Sequence, residues 1–174
     1  MKLIAIFLIA ILAMTYATKT QEAVDTIEGI LVGAFGTVGH EAVECIDDGE
    51  AIFDNVEIAI KDFMKGDVAD IVQGLFYIGK ALEAIPAEVK ECGNLTELVS
   101  DFEKIAEEFK NPKSLSIHIG KEILWHGKSI YHDVNDAVTQ FKSEKYEPAG
   151  EDIGDIVKIL FMDAAVPQFI KVSQ

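Results

Sequence analysis

His118, Glu122 and His126 recur at intervals of four, and His132 and Asp136 form one more such pair further along. Imidazole and carboxylate are capable zinc or copper ligands and capable general acids and bases. The spacing limits what they can do together. Residues eight apart on a helix lie about 12 Å apart along its axis, whereas a zinc ion holds its ligands near ~2 Å. At best two of the three would share a weak site, and the run reads instead as a polar helix face with Trp125 partly exposed. Asp47-Asp48-Gly49-Glu50 has the acidity of a calcium loop but lacks its alternating ligands and closing glutamate. It reads as an acidic helix start. No nucleophile elbow, zincin motif, phosphate loop or dinucleotide fingerprint is present. The sequence therefore predicts no catalytic residue, no cofactor and no metal site.

The chain's two cysteines, Cys45 and Cys92, offer a different chemistry. Between them lie two apolar-periodic runs separated by Lys65-Gly66-Asp67. Cys45, Ile52, Val56, Ala59, Ile60 and Phe63 share one helix face. So do Val68, Ile71, Val72, Leu75, Leu82, Ile85, Val89 and Cys92. Gly66 is a helix stop and Asp67 an N-cap for the next helix. Both cysteines fall on the apolar stripes, so a Cys45–Cys92 disulfide is expected to close the open end of a helical hairpin. The arms differ in length by roughly 8 Å, some of which a kink at Pro86 would absorb. A clasp on a loop of this length is worth roughly 4 kcal/mol on the chain-entropy account.

An oxidising compartment is needed for that bond. Residues 1–17 supply the address: Lys2, an apolar run from Leu3 to Met14 too short to span a bilayer, and a small-x-small site ending at Ala17. The expected organisation is a signal peptide over 1–17 and a single helical domain over 18–174. Within it, 18–93 holds the N-terminal segment and disulfide hairpin, and 94–174 a second helical part. The formal charge is −15, with 15 basic and 30 acidic residues, and every basic residue is lysine. Such a surface is a poor partner for nucleic acid or anionic lipid. No later stretch suits stable membrane insertion.

Before the hairpin, Gly29, Gly33, Gly36 and Gly39 interrupt a helical pattern, and packing into a groove is the expected use of this Gly-rich segment. After it, Asn94-Leu95-Thr96-Glu97 is both a glycosylation sequon and a capping box. The two uses of Asn94 compete, and both stay open. A clean apolar stripe follows from Leu95 to Phe109. A helix capped by Ser114 then runs to about Lys142, its stripe skipping at Gly127 where a close crossing is expected. Ser143 to Gly150 reads as a polar loop, and Asp152 or Gly150 as the start of a last helix ended by Pro167.

The segments from Asp67 to Phe76 and from Asp152 to Phe161 are identical at six positions of ten. Upstream, Val56, Ala59, Ile60 and Phe63 match Val134, Ala137, Val138 and Phe141 in spacing. The match reads as an internal duplication, the second copy having a longer inter-helix loop and no cysteines; chance likeness between two amphipathic helices is the alternative. The expected fold is all-α: two antiparallel helical hairpins packed as one bundle, the first closed by the disulfide.

These features resemble a family of small secreted, cysteine-paired, all-helical proteins of ciliated protists. The likeness rests on the signal peptide, the opening at Cys45 to Glu50, the hairpin ending at Cys92, and Phe109 to Lys121. It extends to Gly127–His132 and to the loop Tyr146–Gly150 with Gly154-Asp155-Ile156. The resemblance implies secretion and a helical fold, and no activity.

The leading expectation is a secreted structural or interaction protein without catalysis, whose partner is an unknown extracellular protein or an apolar ligand. The alternative is a carrier of a lipid or other apolar ligand in a helical-bundle cavity. Its ten Phe and the Gly-rich segment near Phe35 motivate it. A hydrolase built on His126 or His132 is the third possibility.

Overall fold

A computed structural model describes residues 21–36, 49–89, 112–162 and, between the last two stretches, positions 100, 101, 103–105 and 107. All regular structure among the described residues is helical. Helix α1 covers residues 21–35, α2 Glu50–Phe63, α3 Val68–Val89, α4 Pro112–Lys142 and α5 Tyr146–Val157. A π-helical turn, π1, continues α5 over Lys158–Met162. The described positions of 100–107 are helical too, and Ile105 among them is buried.

The first hairpin forms for the reasons its sequence suggests. Val56, Ala59, Ile60 and Phe63 of α2 are buried, as are Ile71, Leu75, Leu82 and Ile85 of α3. Gly66 turns the chain at φ +83°, a conformation open to a residue without Cβ. The Asp67 carboxylate accepts from the Asp70 backbone N–H at 2.9 Å, which caps α3. That bond holds the Asp67 carboxyl below its ordinary range. Val68, expected on the inner stripe, is 51% exposed because it sits in the first turn, beyond the end of α2. Pro86 is accommodated within α3. Cys45, Cys92 and Asn94, and the leader 1–17, lie outside the described residues.

The second hairpin departs from expectation at both of its helix starts. Helix α4 begins at Pro112, whose missing N–H costs nothing at a first helical position, so Ser114 lies inside the helix. The stretch 143–145 is all that joins α4 to α5. Tyr146 opens α5 and Pro148 falls in its first turn, where proline is tolerated. The expected loop from Ser143 to Gly150 is therefore mostly helix. Four positions lead from Phe63 to Asp67, but eleven from Phe141 to Asp152. The extra seven add turns to α5 and do not lengthen the loop.

Those added turns receive α1. Gly29 and Gly33 on α1 face Gly150 and Gly154 on α5, each pair four residues apart. A Cβ on Gly29 would overlap the Glu147 carbonyl oxygen and stand 2.8 Å from the Gly150 Cα. One on Gly154 would stand 2.7 Å from the Ala34 backbone nitrogen. Gly29 and Gly33 are thus packing residues, as expected, with their partner now identified; Gly36 ends α1 at φ +66°, and Gly39 lies outside the described residues. Gly127 is not a packing residue: among the described residues a Cβ there would meet only Ile123 of its own helix, at 3.9 Å. The gap in the α4 stripe marks no crossing.

One cluster of buried apolar side chains draws on α1, α2, α3, α4, α5 and π1. Three rings join the hairpins at the edge of that cluster. Phe53 of α2 lies 5.8 Å from Phe141 and 5.7 Å from Tyr146, and Phe141 lies 5.2 Å from Tyr146.

Candidate functional site

Helix α4 carries nearly every side chain singled out for chemistry, and the structure separates them. His118 is engaged: its Nε2 lies 2.6 Å from the Leu160 carbonyl oxygen. A carbonyl only accepts, so this nitrogen carries the proton and donates it. The ring also stacks on Phe161, with centroids 5.7 Å apart. His118 thus pins π1 to α4. His126 Nε2 stands 3.7 Å from a Glu122 carboxylate oxygen, and His132 Nε2 stands 3.6 Å from Asp136. Both pairs are open to solvent at their imidazoles. Among the described residues, no group of three or more His, Cys, Asp or Glu side chains is placed to hold a metal ion. Glu50 stands in the first turn of α2, as an acidic helix start should, while Asp47 and Asp48 lie outside the described residues.

The C-terminal half of α4 and the middle of α5 bring Asp133, Asp136, Asp152 and Asp155 together. Burial is the main force on Asp152, and the charges of Asp136, Asp133, Asp155 and Glu151 add to it. Its pKa is pushed up to about 6. Asp133 is raised by burial first and by Asp155 second, while nearby His132 acts the other way. Asp152 aligns with Asp67 in the ten-residue stretch that the two hairpins share, yet the two do opposite things. Asp67 is an exposed cap. Asp152 is half-buried in mid-helix, because the added turns moved the helix start away from it.

The N-terminal half of α4 has the reverse character. Leu124 and Trp125 are 84% and 83% exposed, and Ile117 is 53% exposed. At ~100° per residue, Lys113, Ile117, Lys121, Leu124 and Lys128 fall within a sector about 80° wide, and Trp125 borders it. The opposite side of this helix carries the buried Leu115, Ile119 and Ile130. Residues 112–132 hold three lysines against one carboxylate, in a chain whose formal charge is −15. Among the described residues, Lys113, Lys121 and Lys128 enter no ion pair; the lysine pairs involve Lys61, Lys65 and Lys104. Large apolar side chains standing this far into water are uncommon and mark interaction surfaces. Trp125 is more exposed than the sequence suggests, and the acidity of the whole chain hides the local excess of lysine. Separating the two halves of this helix by charge would have revealed the face.

None of the described helices is long and apolar enough to cross a membrane. A curated relative, "Secreted protein A" of Dictyostelium discoideum, is 23% identical over 170 residues, covering 91% of this chain and 97% of that protein. It comes from an amoeba, whereas the residue-level likeness pointed to ciliates. No solved structure matches the chain. The secreted address expected from the leader is the one these matches carry. The pattern of the SctB-like family, described as Secreted protein B-like, matches residues 12–162, and the chain belongs to that family.

Proposed function

We propose that this is a secreted, non-enzymatic interaction protein whose contact face is the N-terminal half of α4. The exposure of Leu124 and Trp125 beside Lys121 and Lys128 carries this reading. The described helices act as the scaffold that holds the face rigid: α5 and π1 brace α4 from behind, and α1 braces α5. In the same reading the Cys45–Cys92 disulfide closes the first hairpin, the two hairpins form one bundle, and residues 1–17 are removed on export. Intact mass of the secreted protein, with and without reductant, reads the clasp, the cleavage and any glycan at Asn94 together.

The contact face is tested by sedimentation velocity on protein taken from its own medium. The expected result is that wild type sediments as part of a larger complex and the Leu124→Ser/Trp125→Ser variant as free chain. Identical sedimentation of the two would contradict the reading.

A further inference from the structure

The face on α4 has a chemistry of its own, and from it we infer that the protein docks onto anionic lipid surfaces. The inference rests on the proposed contact face and names its occupant. Ile117 and Leu124 are seven residues apart, two turns along one side of the helix, and Trp125 widens the ridge at its end. Lys113, Lys121 and Lys128 line the same side over about 22 Å. A convex ridge of this kind suits a planar, deformable partner. The apolar tips enter the boundary between headgroups and acyl chains, as leucine and tryptophan do in interfacial helices. Lysine stems lie along the apolar surface and carry their ammonium groups out to the headgroup phosphates. Charge complementarity selects an anionic membrane, because the three ammonium groups have no carboxylate partner among the described residues.

The acidity of the whole chain does not forbid this. Asp133, the nearest carboxylate after Glu122 along the helix, is five residues beyond Lys128, about 7.5 Å along the axis, and on the far side of the helix from the lysines. The width of the helix adds to that separation and takes it past the screening length of ~8 Å at physiological salt. The remaining negative charge then sets how the protein lies on the surface, acidic end outward, and keeps adsorption peripheral.

Trp125 is the chain's single tryptophan, so its emission reports the face directly. The full secreted protein is titrated with vesicles of phosphatidylcholine alone and of phosphatidylcholine with phosphatidylserine. The expected result is a blue shift and co-sedimentation with the anionic vesicles only, both weakened by added salt. Lys121→Glu/Lys128→Glu lowers the partition constant roughly tenfold or more. Lys121→Glu alone still lowers it severalfold, whereas Lys61→Glu, the same charge change placed on α2, leaves it within about twofold. Leu124→Ser weakens binding while far-ultraviolet circular dichroism stays unchanged, since that side chain contributes little to the core. No shift with either vesicle, or equal binding to both, overturns the inference. So does a blue shift that follows protein concentration without vesicles. That last outcome makes a second copy the occupant and leaves the contact face itself standing, whereas loss of the sedimentation difference described above removes the face.

Discussion

Gly29 on α1 and Gly150 on α5 meet backbone to backbone: a Cβ built on either would lie within 2.9 Å of the other's Cα. Helices approach this closely only where neither carries a side chain at the crossing. The relationship fixes where α1 can sit. It also places the second hairpin's added turns under a specific load, since α5 would have no Gly150 to offer had it begun at Asp152.

Gly29→Ala and Gly150→Ala should each destabilise the fold by about 1–3 kcal/mol or more, because the clashing atoms are backbone and cannot rotate away. Gly120→Ala is the control. A Cβ there meets nothing within 4 Å, and the position is inside α4. It should stabilise by up to about 1 kcal/mol through helix propensity. Urea denaturation of the three variants measures all of this at once.

Asp152 predicts an unusual pH dependence. Its folded pKa, about 6, lies above its ordinary value of 3.8, so the native state binds this proton more tightly than the unfolded chain does. The burden of the charged form is fully present above the folded pKa and is relieved as pH falls toward the unfolded one. Asp133 is shifted in the same direction. Thermal melting should therefore be higher near about pH 5 than near about pH 7.5. Asp152→Asn should flatten that difference by raising the melting point at the higher pH.

His118→Ala should free π1. The Leu160 carbonyl loses its donor and Phe161 its stacking partner, at a cost of about 1 kcal/mol for the hydrogen bond. The effect should be local. Amide hydrogen exchange should quicken across residues 158–162 and stay unchanged in α2 and α3.

The first hairpin was legible because every local signal agreed with the final packing. Gly66 turned the chain, Asp67 capped it, and the described stripe positions of α2 and α3 were buried except at Val68 and, in part, at Val72. The second hairpin was legible in its periodicity but not in its boundaries. Proline at 112 and 148 signals a break when read alone, yet both residues sit in the first turns of helices. The four-glycine crossing was half-visible. Gly29 and Gly33 announce a close approach, but on sequence Gly150 falls at the end of a polar loop or at a helix start, and the gap at Gly127 mimics a crossing. The α4 face was hidden for another reason. Ile117, Leu124 and Trp125 look like core on composition; the local excess of lysine around them is the signal the sequence carries, and their exposure shows that this side of the helix is left in water.

The account stands most directly on Trp125 being a solvent-facing side chain on a folded scaffold. In dilute protein without vesicles, its emission should lie at the position of fully hydrated indole, and acrylamide should quench it about as efficiently as free tryptophan. A blue-shifted emission protected from acrylamide in the dilute, folded chain would contradict the account, because it would place Trp125 inside the protein.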